Sequence, residues 1–122
     1  MNARVLIAVI DDDESVRESL PDLLREFGYE VAAFASAEAF LASDSLALTQ
    51  CLILDRVMPG MSGPQLQEEL IRRHYEVPIV FITAYADRRR PHPLPLRGAQ
   101  CLIKPFSDGD LSLAIDAALK DR

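Results

Sequence analysis

Apolar residues along the chain fall into two kinds of pattern that alternate. Residues 5–10, 51–54 and 79–82 form short, unbroken apolar runs. Runs of that length with no polar alternation predict strands buried on both faces, as parallel sheets require. Residues 29–34 are less uniformly apolar, which predicts an edge strand. Leu102 and Ile103 belong to a short fifth strand that ends at Lys104-Pro105-Phe106. Between the runs, apolar positions take helical spacing. Val16, Leu20, Leu23, Leu24 and Phe27 line one helix face behind Asp13, a good N-cap, and Gly28 is the expected stop. Pro21 falls inside that helix, where it removes a backbone donor and predicts a kink.

Ser36 is placed to cap a short helix over 37–42, followed by a polar loop through 49. Ser62-Gly63-Pro64 opens a further helix, with Pro64 suited to its first turn and Leu66, Leu70 and Ile71 as the expected buried stripe. Ser107 caps a last helix that carries Leu111, Ala114, Ile115, Ala118 and Leu119 on one face. Residues 87–98 are different. Pro91, Pro93 and Pro95 alternate there, and each lacks a donor and restricts its predecessor, so no continuous α-helix fits.

Alternating strands and helices with buried strands predict a parallel sheet with right-handed crossovers. At this size the natural architecture is flavodoxin-like, a five-stranded sheet in the order 2-1-3-4-5 with helices on both faces. The 122 residues suffice for a single domain spanning 1–122, with no repeat and no linker.

Charge and cysteine content narrow the function classes. A net charge of −6 argues against this domain gripping nucleic acid directly, because phosphate binding needs a basic face. No apolar run approaches a membrane span and the first residues lack signal-peptide anatomy, so no membrane role and a cytoplasmic location are expected. Cys51 and Cys101 fall in the third and fifth strands, roughly 9–10 Å apart by strand spacing, beyond the reach of a disulfide. Both are expected to be reduced. Arg88-Arg89-Arg90 reads as a solvated loop, and His74 and His92 as surface residues.

In the predicted strand order, strands one and three are neighbours at the switch point. Asp11, Asp12 and Asp55 then meet at the C-terminal edge of the sheet, with Thr83 and Lys104 arriving from strands four and five. Three adjacent carboxylates repel one another unless a cation shares them. Oxygen ligands with no His or Cys beside them point to Mg²⁺. A lysine and a hydroxyl facing such a site suit phosphoryl transfer, with Asp55 as the nucleophile that forms an aspartyl phosphate. Taken singly, the acids before the first helix serve its dipole, an Asp after a strand is a turn residue, and Lys104-Pro105 is a turn. Their joint placement at the ends of four strands is what carries the argument.

The chain resembles the receiver domain of bacterial two-component response regulators, with a CheY-like fold, over nearly its whole length. The matching pieces are Val9-Ile10-Asp11-Asp12, the run from Leu54 to Gly63, Ile82-Thr83-Ala84 and Lys104-Pro105-Phe106. The segments 16–20 and 34–41 resemble the FixJ-like branch, whose members usually carry a helix-turn-helix output domain. The resemblance implies that Asp55 takes a phosphoryl group from a sensor histidine kinase or phosphotransfer protein. It implies Asp11, Asp12 and Asp55 as Mg²⁺ ligands together with the backbone carbonyl of Val57. It implies Thr83 as the switch hydroxyl, Lys104 as its charge partner, and a cis Lys104-Pro105 bond. It allows for a homodimer on phosphorylation and for a C-terminal output domain outside these residues. A receiver promotes only its own phosphorylation and dephosphorylation, so no separate enzymatic turnover is expected.

Three departures from the family pattern stand out. Cys101 occupies the place of the usual aromatic switch residue, three before the lysine. The span from Thr83 to Lys104 is about one residue short by turn alignment. The proline-rich segment falls where relatives have their fourth helix, which predicts a disrupted helix and a rewired or weakened output face; the alternative is a tolerated irregular loop. Two other readings compete with a switched receiver. One is a receiver-like domain that acts by constitutive protein contacts. The other is a Mg²⁺-dependent aspartyl-phosphate phosphohydrolase, which would need a second acid where Val57 offers none. A flavin-binding domain is disfavoured, since no phosphate-cradling loop follows strand one.

Overall fold

Continuous apolar runs become the inner strands of the sheet. The computed structural model describes residues 5–55, 58–83, 100–103 and 106–120, with the backbone alone at positions 83 and 100. Along the chain come β1 (Leu6–Ile10), α1 (Glu14–Glu26), β2 (Glu30–Phe34), α2 (Ala37–Leu41) and a 3₁₀ turn (Asp44–Ala47). They are followed by β3 (Cys51–Asp55), α3 (Gly63–Arg72), β4 (Ile79–Thr83), β5 (Gln100–Ile103) and α4 (Asp108–Lys120). The five strands are parallel in the order β2-β1-β3-β4-β5, as the alternation predicts.

Side-chain alternation splits the strands between two apolar layers. Ile7, Val9, Cys51, Ile53, Val80 and Ile82 pack under α1 and α4 through Leu20, Leu24, Leu111, Ala114, Ile115 and Ala118. Ala8, Ile10, Leu52, Leu54, Ile79 and Phe81 face α2 and α3 through Phe40, Leu66 and Leu70. Removing one of the large buried side chains, such as Ile53, would cost about 2–5 kcal/mol in lost transfer energy and cavity. Among the described residues no helix is long and apolar enough to cross a membrane.

Helix ends follow local chemistry. Asp13 caps α1 by accepting from the Ser15 N–H at 2.9 Å, and Ser36 caps α2 by accepting from the Ala39 N–H. Ser62 and Gln65 form a reciprocal capping box on α3. Ser107 and Asp110 do the same on α4. α1 runs unbroken through Pro21, whose ring is buried, so apolar burial there offsets the missing donor. The stripe of α3 differs from expectation. Ile71 is 39% exposed while Gly63, Leu66, Gln67 and Leu70 are buried. That set is i, i+3, i+4, i+7, and Ile71, at i+8, lies about 40° beyond Gln67, at the margin of the stripe. The expected disruption of a helix by Pro91, Pro93 and Pro95 lies outside the described residues.

α1 and α3 end alike. In α1 the Gly28 N–H donates to Arg25 and the Tyr29 N–H to Leu24, with Gly28 at φ 99°. In α3 the His74 N–H donates to Ile71 and the Tyr75 N–H to Leu70, with His74 at φ 64°. Both are Schellman ends, which need a left-handed residue that glycine adopts without a Cβ penalty. His74 pays that penalty. His74→Gly is expected to raise the unfolding free energy by about 0.5–1 kcal/mol, the left-handed strain relieved less the added entropy of an unfolded glycine. Urea unfolding monitored by circular dichroism would measure it.

The two cysteines are both free, Cys51 buried and Cys101 exposed. Cys101 pairs in register with Phe81, so it faces the layer opposite to Cys51 as well as lying two strands away. Mass spectrometry after alkylation of the native protein should find one adduct, on Cys101, and two after denaturation. Two rapid adducts in native buffer would contradict the burial of Cys51.

Candidate functional site

The register of the central strands decides what meets at the C-terminal edge. Ile10 pairs with Leu54, Asp55 with Ile82, and Thr83 with Ile103. Asp11 and Asp12 therefore leave β1 beside Asp55, and Thr83 ends the next strand along. The carboxylates of Asp11, Asp12 and Asp55 each bring an oxygen within 4.8 Å of the others. Sequence reasoning placed these three together, and the structure does so. Thr83 is at its expected place at the end of β4, where the backbone alone is described. Lys104 and Val57 lie outside the described residues, as does the Lys104-Pro105 bond.

The three acids stand in different surroundings. Asp11 is fully buried, Asp55 partly buried and Asp12 exposed. The Asp11 N–H donates to the Phe34 carbonyl at 3.2 Å, tying the end of β1 to the end of β2. Its Oδ1 accepts from the Asp13 N–H at 2.9 Å. Its carbonyl accepts from Arg17 Nη1, also at 2.9 Å. Asp11 is thus held by backbone and side chain at once, so its carboxylate orientation is set before any ligand arrives. Arg17 sits one turn into α1, at i+6 from Asp11. It is a support that spacing alone did not reveal, although it falls in a segment that resembles the family.

Three hard oxygen donors on rigid strand ends, with no sulfur or imidazole in the set, suit Mg²⁺ in number and chemistry. Mg²⁺ characteristically uses one or two protein carboxylates and completes its shell with water and phosphate oxygens. Among the described residues, Asp12 is exposed beside the buried Asp11, so the cluster reaches solvent on that side. The first turn of α1 begins at the same edge, behind Asp13.

The position where the family pattern expects an aromatic switch residue is Cys101. It lies in β5, and its side chain is exposed, as is that of Ile103 on the same face. Leu102, between them, packs into the layer under α4.

Comparison with known proteins agrees with this geometry. The profile of the response regulator receiver domain matches residues 7–116. Nodulation protein W of Bradyrhizobium diazoefficiens is 39% identical over 96% of this chain and 52% of its own length. The transcriptional regulatory protein FixJ of Azorhizobium caulinodans is 37% identical over 93% of this chain and 54% of its own. The solved structure of the response regulator StyR superimposes with a TM-score of 0.84 at 44% identity, covering 97% of this chain and 60% of StyR. The chain spans about half the length of the curated relatives it matches. It belongs to the response regulator receiver domains, the phosphoacceptor signalling modules of two-component systems, with FixJ among its relatives.

Proposed function

We propose that Asp55 is the phosphoacceptor and that Asp11, Asp12 and Asp55 hold Mg²⁺ beside it, with the carbonyl of Val57 as a further ligand. The observation that carries this reading is the meeting of three carboxylates within 4.8 Å at the ends of adjacent parallel strands. An Asp55 carboxylate oxygen attacks the phosphorus of a phosphohistidine in line with its P–N bond. That bond breaks, an acyl phosphate forms on Asp55, and the imidazole leaves with its electron pair to be protonated. Bound Mg²⁺ supplies positive charge that offsets the carboxylates and the phosphoryl oxygens. Asp11 keeps its orientation through Asp13 and Arg17, so no reorganisation is needed at the moment of transfer. The Thr83 hydroxyl then donates to a phosphoryl oxygen, and the Lys104 ammonium balances its charge.

In this reading the donor is a sensor histidine kinase or phosphotransfer protein in the cytoplasm. The consequence is a changed surface, read by a homodimer partner or a helix-turn-helix output domain, and no separate substrate is turned over. A second reading rests on Cys101. With an exposed thiol in place of the family's aromatic residue, the site is retained while its coupling to the surface is altered, and the domain acts through standing protein contacts.

Intact-protein mass after incubation with acetyl phosphate should show one added phosphoryl group that requires Mg²⁺ and is absent in Asp55→Asn. No gain in the wild type, with Mg²⁺ shown to bind by calorimetry, would mean a protein that kept the fold and lost the switch.

The acidic cluster makes a separate prediction. Asp12→Asn removes one of three mutually repelling charges, worth on the order of 1 kcal/mol at these separations near a surface. Its melting midpoint should rise in metal-free buffer, and the further rise on adding MgCl₂ should shrink because a ligand is lost. A metal-free midpoint below that of the wild type would mean that the repulsion is already neutralised within the protein.

A further inference from the structure

The connection from β3 to α3 follows directly on Asp55, the acceptor of the site proposed above. Three anchors hold its later part. Met58 is buried in the layer under α2 and α3, and Met61 packs against that layer. The third anchor is Glu38, on α2. Its Oε1 accepts from the Met61 N–H at 3.4 Å. Its Oε2 lies 2.9 Å from where a Cβ on Gly60 would stand, and Gly60 has φ +75°. Both carboxylate oxygens therefore face one turn, and that turn has no side chain at the point of closest approach.

Glu38 has a firm base. Ser36 caps its helix, and Phe40, fully buried, sets its ring edge-on to Phe34 at 5.5 Å. Phe34 also supplies the carbonyl that takes the Asp11 N–H. The short stretch from Phe34 to Phe40 thus grips both Asp11, through Phe34, and the β3–α3 connection, through Glu38. We infer that Glu38 is a positioning residue for the phosphoacceptor site, fixing the β3–α3 connection against the strand that fixes Asp11. The inference rests on the reading of Asp55 as the acceptor. Glu38 acts as a hydrogen-bond acceptor and spacer, so the acceptor geometry of its side chain matters and its charge does not.

Two variants separate these properties. Glu38→Gln keeps an Oε1 acceptor and loses the charge. Glu38→Ala loses the acceptor at a solvent-exposed helical position that suits alanine. In the unphosphorylated protein, exchange of the Met61 amide hydrogen measured by NMR should accelerate in Glu38→Ala and stay near wild type in Glu38→Gln. With Mg²⁺ and acetyl phosphate, the initial rate of phosphorylation should fall about two- to tenfold in Glu38→Ala, the range of one hydrogen bond's worth of positioning. Glu38→Gln should stay within about twofold of wild type by the same reasoning. Equal rates in all three proteins would overturn the inference and leave the acceptor reading standing. A shared defect in both variants would also overturn it, because charge would then be the operative property. A wild type that takes up no phosphoryl group would overturn the acceptor reading itself. In that case the Met61 exchange rates would still show whether Glu38 pins the turn.

Discussion

The pairing of β1 with β3 is the constraint on which the rest of this molecule depends. Both strands are buried on both faces, so neither can slip by a residue without turning its apolar set against the wrong helices. With Ile10 opposite Leu54, the first polar residues beyond each strand must be neighbours. Three acids are forced together by apolar packing beneath them, and electrostatics alone would keep them apart. Burial of the strands thus fixes where the three acids stand.

What surrounds that cluster is graded in rigidity. Asp11 is locked by its backbone, by Asp13 and by Arg17, whereas Asp12 faces water. Asp55 ends the central strand. On one flank the β3–α3 turn is held by buried Met58, partly buried Met61 and the contact of the exposed Glu38 carboxylate. On the other flank β5 presents Cys101 and Ile103 outward beside the end of β4.

Much of this was legible from residues alone because parallel strands leave a blunt signature, an apolar run with a carboxylate or turn at its end. Caps at Asp13, Ser36, Ser62 and Ser107 were legible because a small polar side chain before an amphipathic stretch has few other uses. Three kinds of feature were not. His74 carries no local sign that it will turn left-handed, since the chain usually reserves that role for glycine, as at Gly28. Exchange of Ile71 for Gln67 in the buried stripe depends on a rotation of about 40°, the offset of residues four apart on a helix, which apolar character alone misplaces. The contact between Glu38 and Met61 joins residues 23 apart, and no period or motif announces it.

α1 and α3 begin at the edge of the sheet that bears the carboxylates, and both finish, in Gly28 and His74, at the opposite edge. A five-residue strand separates the two rims by roughly 17 Å. Substitutions that far apart, with no shared partner, act on free energy almost independently. One rim governs how well the helices terminate, and the other governs what the acids do. Descendants of this chain could therefore adapt to a hotter or colder habitat at one rim while the timing of their signal stayed untouched at the other.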